Sequence, residues 1–135
     1  MKLHHVMKTF LWITKITAAV IMLQTLYFKF SAHPEAVYIF TTLGMEPWGR
    51  LGIGVMELIA SLLILVPRTS WIGALMGIGL MTGAIFFHLT QLGIVVYNDD
   101  GRLFAMAAGV LICSLFILWM SRKDVPLVGK RMLAQ

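Results

Sequence analysis

Residues 48–95 read WGRLGIGVMELIASLLILVPRTSWIGALMGIGLMTGAIFFHLTQLGIV, and this stretch decides the fold. Two apolar runs, about Trp48–Val66 and about Trp71–Val95, flank the tetrapeptide Pro67-Arg68-Thr69-Ser70. A helix needs about 20 mostly apolar residues to cross about 30 Å of hydrocarbon, and each run supplies them. Neither run alternates as a strand does, and inside lipid a helix satisfies its own backbone groups. Pro67 cannot continue the helix before it, and Ser70 is placed to cap the helix after it. The two runs therefore read as antiparallel neighbours joined by a tight turn.

The same reading extends in both directions. A further apolar run covers about Phe10–Phe28, and another covers about Leu103–Met120 after the polar turn Asn98-Asp99-Asp100-Gly101. The expected architecture is an all-α, transmembrane, antiparallel four-helix bundle forming a single domain over residues 1–135. Composition agrees: 59% of residues are hydrophobic, 13% are charged and the mean hydropathy is +0.87. A soluble domain needs about 25% charged residues to cover its surface. Half that share excludes an ordinary cytosolic enzyme, a disordered tail and a secreted disulfide scaffold. The lone cysteine, Cys113, cannot pair within its chain and reads as a small apolar residue.

Residues 2–30 resemble a signal peptide, with a basic start and then an apolar run. The run is too long, Lys29 interrupts its end, and Phe30-Ser31-Ala32 is a poor cleavage site. A retained first span is expected. In the loop 31–47, Ser31 or His33 can cap, Pro34 suits a first helical turn and Gly44 suits a stop. Ala36, Ile39, Phe40 and Leu43 fall on one face, the pattern of a short amphipathic interfacial helix, with an irregular loop as the alternative.

Lys and Arg are divided unequally between the two sides of such a bundle. One side holds Lys2, Lys8, Lys15, Arg68, Arg122, Lys123, Lys130 and Arg131, eight in all, and the other holds Lys29, Arg50 and Arg102. By the positive-inside rule both termini are expected in the cytoplasm. The net charge of +5 lies at the ends of apolar runs, without a basic stripe interleaved with aromatics. The lipid bilayer is therefore the expected partner, and nucleic acid is not. Trp12, Trp48, Trp71 and Trp119 fall near span ends and read as interfacial anchors.

Polar residues within the spans carry the functional information. A carboxylate in mid-span costs about 2.5–3.5 kcal/mol on insertion scales, so it turns toward partners or water. Glu57 is that residue, and Arg50, Gly54, Glu57 and Ser61 form one stripe along the second span. The third span supplies His88 and Gln91, and the first supplies Gln24, with Thr25 and Lys29 sharing a neighbouring face. Antiparallel packing places Gln24, Lys29, Arg50, Glu57, His88 and Gln91 at similar depth, in the outer half of the bundle. Two readings compete for this network. In one, Glu57 pairs with Lys29 or Arg50 and the group only fixes helix register. In the other, it lines a pocket for a small ligand or quinone head group, with His88 or Glu57 exchanging protons. Haem would need two facing histidines, and only His88 lies within a span. No metal site, C-x-x-C, H-E-x-x-H, phosphate-binding glycine loop or nucleophile motif is present, so no catalytic residue is assigned and enzymatic activity is left open.

Three segments carry a resemblance: Tyr27-Phe28-Lys29-Phe30, Gly44-Met45-Glu46-Pro47 and Gly54-Val55-Met56-Glu57-Leu58. With their order and spacing, the sequence resembles the DoxX-like family of small bacterial four-span membrane proteins over about residues 10–120. The resemblance implies a protein of the type often named for a thiosulfate:quinone oxidoreductase subunit and sometimes linked to redox-stress complexes. It maps the family's first-span lysine to Lys29 and its second-span glutamate to Glu57. The expected function is a quinone-linked or accessory subunit of a membrane redox system, with a redox partner or a homo-oligomer. The alternatives are a structural or assembly factor for other membrane proteins and a small-solute binder or transporter.

Overall fold

The four prolines stand at positions 34, 47, 67 and 126, each at the first residue of a helical segment or just before one. There the missing N–H is no loss, because the first turn of a helix leaves its N–H groups unpaired anyway. Nothing therefore interrupts the apolar runs, and each becomes one long helix. A computed structural model describes residues 2–134. Helix α1 spans Lys2–Phe30, α2 Pro34–Thr42, α3 Trp48–Leu65, α4 Ser70–Phe87, α5 Arg102–Met120 and α6 Pro126–Leu133. Four of them, α1, α3, α4 with its flanking turns, and α5, are long and apolar enough to cross a membrane.

Their packing confirms where they belong. No more than 33% of any spanning window is buried inside the protein, while Ile13, Val20, Leu62, Leu75 and Ile112 stand exposed. Large apolar side chains on every outward face would aggregate in water and are at home among acyl chains. Helix α1 packs on α3 and α5, and α4 also packs on α3 and α5, closing a four-membered ring. Facing residues run in opposite numerical order along the α4–α5 seam: Gly77 meets Ser114, and His88 meets Phe104.

The two halves of the ring differ. Near the α3–α4 turn it is filled by Ala18, Ala60, Ile64, Ala74 and Ile117, all fully buried. A Cβ on Gly73 would lie 2.6 Å from the Ile64 backbone nitrogen and 2.7 Å from the Ala60 carbonyl oxygen. Only a hydrogen lets α3 and α4 approach this closely. Ser70 begins α4 but does not cap it, contrary to expectation. Its Oγ donates to the Ile64 and Val66 carbonyls at 2.7 and 3.0 Å, and Thr69 Oγ1 donates to Leu63 O at 2.9 Å. The turn's hydroxyls serve the exposed carbonyl end of α3, the larger group of orphans at that point.

Two span boundaries also differ from expectation. The first span, expected over 10–28, extends to Lys2–Phe30, about 43 Å at 1.5 Å per residue, and so overshoots the hydrocarbon at one end. The third, expected to reach Val95, ends its α-helix at Phe87, continues as a π-helical turn over His88–Leu92, and stops at Gly93. Gly93 adopts φ 80°, ψ 169°, a conformation open essentially to glycine alone. Ile94 and Val95 then belong to a loop in which Tyr97, Asn98 and Asp100 are left-handed.

Asp99 holds that loop to α5. Its Oδ1 accepts from the Val96 and Gly101 N–H groups at 3.0 and 2.8 Å, and its Oδ2 accepts from Leu103 N–H at 3.0 Å. Burial pushes its carboxyl up, but the three N–H groups, with His88 acting in the same direction, outweigh this and hold it below the ordinary carboxylate range. A lowered folded-state pKa gives stability that is present above the unfolded value and lost as pH falls through the folded one. Asp99→Ala is expected to lose about 1 kcal/mol at neutral pH, as for a deleted helix cap. The gap to the parent chain should close below about pH 4, near the ordinary aspartate pKa. Thermal unfolding in detergent at both pH values measures it; a gap independent of pH would show that the carboxylate charge is irrelevant.

Candidate functional site

The half of the ring farther from the α3–α4 turn is hollow. A cavity of about 430 Å³ lies between α1, α3, α4 and α5, and Ile39 and Phe40 of α2, with Leu43 just after it, cover its end. Helix α2 sits there for local reasons. His33 caps it by accepting from Glu35 N–H at 3.3 Å, Pro34 opens it, and Gly44 at φ 72° turns the chain away. Ala36 and Phe40 are its buried residues, and a Tyr38–Tyr97 ring contact ties it to the 93–101 loop.

Among the described residues, six methionines, Met22, Met45, Met56, Met76, Met81 and Met106, line the cavity. Such walls are soft and can adjust to the shape of an apolar guest. Against them stand four polar residues: Thr25, Lys29, Glu57 and His88. Lys29 Nζ lies 3.0 Å from Glu57 Oε2, an ion pair with side chains 15% and 7% exposed. Thr25 completes the group. Its Oγ1 accepts from Lys29 Nζ at 3.1 Å and lies 3.2 Å from Glu57 Oε2 and 2.8 Å from Met22 O. Glu57 stands nine residues into α3, about 13 Å along its axis, a depth that demands such partners.

His88 enters from α4 at the first residue of the π-helical turn, a distortion that re-aims side chains and recurs at functional sites. Its Nδ1 lies 2.9 Å from the Gly93 carbonyl, which can only accept, so Nδ1 carries the hydrogen. Nε2 is then a lone-pair acceptor when the ring is neutral and a second donor when it is charged. Phe104 packs edge-on against the ring at 5.7 Å between centroids and fixes its plane.

The six expected site residues thus separate. Lys29, Glu57 and His88 share the cavity. Arg50 is buried beside it but not in its wall: it forms a two-pronged pair with Glu46 at 2.9 and 3.0 Å and donates to the Lys29 carbonyl. It ties α3 to the end of α1, leaving Lys29 as the partner of Glu57. Gln24 is exposed, donates to Met106 Sδ at 3.0 Å and borders a small adjoining recess of about 50 Å³. Gln91 is exposed and outside the cavity wall, because the π-helical turn changes its phase from that of a straight helix. Sequence reasoning did not place Thr25 in the site, although its i,i+4 spacing from Lys29 was visible, nor the cover of α2 over the cavity.

Fold and site together define a class: multi-pass helical membrane proteins with a buried ion pair on an apolar, methionine-rich cavity. The sequence matches the DoxX-like family over residues 13–118, and the chain belongs to that family. No curated protein and no solved structure matches it.

Proposed function

We propose that this protein is a quinone-linked, accessory subunit of a membrane redox system, holding a quinone head group between the Lys29–Glu57 pair and His88. The observation that carries the reading is chemical. Ion pair, hydroxyl and imidazole are the polar groups lining a cavity whose other described walls are apolar. Its volume falls within the range of about 300–1,000 Å³ typical of small-molecule pockets. A quinone is a flat apolar ring with two carbonyl oxygens, and it needs donors at its edge. The Lys29 ammonium is one, and the His88 Nε2 lone pair can accept from a hydroxyl of the reduced ring. When bound, a quinone supplies two-electron, two-proton chemistry, with the electrons coming from a partner redox protein in the membrane. This chain's residues bind and orient the head group and exclude water from it, and Glu57 holds the Lys29 ammonium in place.

The charge count, eight Lys and Arg on the side of the termini against three on the other, supports cytoplasmic termini, and the resemblance to small bacterial four-span proteins supports a bacterial inner-membrane location. The cavity then lies in the outer half of the bilayer.

Quinone titration of the purified protein in lipid nanodiscs tests the binding reading. His88→Ala is expected to weaken binding about tenfold, the equivalent of about 1.4 kcal/mol, while leaving the protein monodisperse. Unchanged affinity in that variant would remove His88 from the site, and no binding by the parent chain would overturn the reading.

A further inference from the structure

We infer that the cavity opens sideways into the bilayer between α3 and α4, and that its ligand is a hydrocarbon-tailed quinone whose tail lies in that gap. This inference rests on the reading above and adds the route and the ligand class.

The geometry lies in the glycines of α4. Gly73 touches α3 so closely that a Cβ would strike the backbone of Ile64 and Ala60. Gly77, one turn on, is equally close to Ser114 of α5, where a Cβ would lie 2.5 Å from its Oγ. Gly79 and Gly83 are opposite in kind: both line the cavity, yet a Cβ on either would meet nothing within 4 Å. Helices α3 and α4 therefore touch at the turn and part along their length.

The lips of the gap are found among residues that both line the cavity and face outward. Met56 on α3 is one, 44% exposed, and Gly79 on α4 is another. Helix α2 lies over the end, with Phe40 7% exposed, and on the α1–α5 side Gln24 is bonded to Met106. A gap floored by glycine and edged by methionine at membrane depth admits an alkyl chain and offers nothing to a hydrated solute. A head group seated at Lys29, Glu57 and His88 would leave its chain pointing at this gap.

The experiment compares two probes on the protein in nanodiscs: a benzoquinone with a ten-carbon tail and the same head group bearing only a methyl. Concentrations are expressed per lipid, so that partitioning into the bilayer does not imitate affinity. The parent chain should bind the tailed probe at least tenfold more tightly. Gly79→Phe and Gly83→Leu fill the gap from positions with free space, and Gly79→Ala controls for the change in helix backbone. Both filling variants should bring the tailed probe down to the methyl probe's affinity, whereas Gly79→Ala should retain the tail's advantage. If both filling variants, folded by their thermal transitions, bind the tailed probe as the parent does, the gap is wrong and the head-group site stands. Equal binding of the two probes by the parent also overturns the gap. If the parent binds neither probe, the head-group reading falls with it.

Discussion

Replacing Lys29 with methionine while keeping Glu57 is expected to destabilise the protein by about 3 kcal/mol, at the lower end of the range for breaking a buried ion pair. The carboxylate stands about 13 Å along α3 and has no route to water along its own short side chain. Without Lys29 it retains only the Thr25 hydroxyl close by. The converse change, Glu57→Met, should be milder, about 1–2 kcal/mol, because Lys29 is in the last turn of α1 and its long stem can carry the ammonium outward. Removing both charges together, Lys29→Met with Glu57→Met, should leave stability within about 1 kcal/mol of the parent, since apolar replacements of whole buried pairs are often neutral or better. Thermal or denaturant unfolding in one detergent gives all four corners of the cycle. Strictly additive losses would show that the two groups do not act as a pair. The double variant has a further use: it should fold yet lacks the ion pair that lines the cavity, so quinone binding should be weakened without loss of structure. That outcome separates a pocket from a network that only fixes helix register.

The second large effect concerns a single methyl group. Gly73→Ala is expected to cost about 3 kcal/mol, the upper end of the usual overpacking range. The atoms it would meet, Ile64 N and Ala60 O, are backbone and cannot swing aside, and they belong to the most fully packed part of the ring. Gly79→Ala, six residues further along the same helix, places its methyl where nothing lies within 4 Å. It should be neutral or slightly stabilising, since alanine favours a helix by up to about 1 kcal/mol over glycine. Comparing the two unfolding transitions tests whether α3 and α4 really touch at one end and part at the other. Equal effects would mean that they run alongside each other uniformly.

The bundle was legible because the bilayer imposes a length and a composition that few other folds share. Helices at Trp48–Leu65 and Arg102–Met120 follow almost directly from where charge and proline interrupt the apolar runs. The third span was not fully legible. Leu92, Ile94 and Val95 are as apolar as the residues before them, so hydropathy continues past the point where the backbone of Gly93 ends the helix. The same turn moves Gln91 off the stripe on which a straight helix would place it. Ser70 misled in another way: a serine after a proline turn satisfies either the helix behind it or the one ahead, and spacing alone does not choose. In the site, Lys29 and Glu57 stand out because charge within a span is costly and few residues were available to match it. Arg50 looked equally suited to Glu57, but Glu46 lies four residues before it on the chain and takes its guanidinium. Methionines and glycines gave no such signal. Their role as wall and gap comes from the way the helices diverge, a tertiary property with no one-dimensional trace.

The central claim is that Glu57 and Lys29, turned inward from α3 and α1, form with His88 the polar end of a binding cavity. A high-resolution density map of the protein in nanodiscs loaded with tailed quinone tests it most directly. Ring density is expected with an oxygen within hydrogen-bonding distance of Lys29 Nζ or His88 Nε2, and chain density emerging beside Gly79. A map in which the Glu57 side chain points out toward acyl chains, or in which the cavity has collapsed and the quinone binds elsewhere, would contradict it.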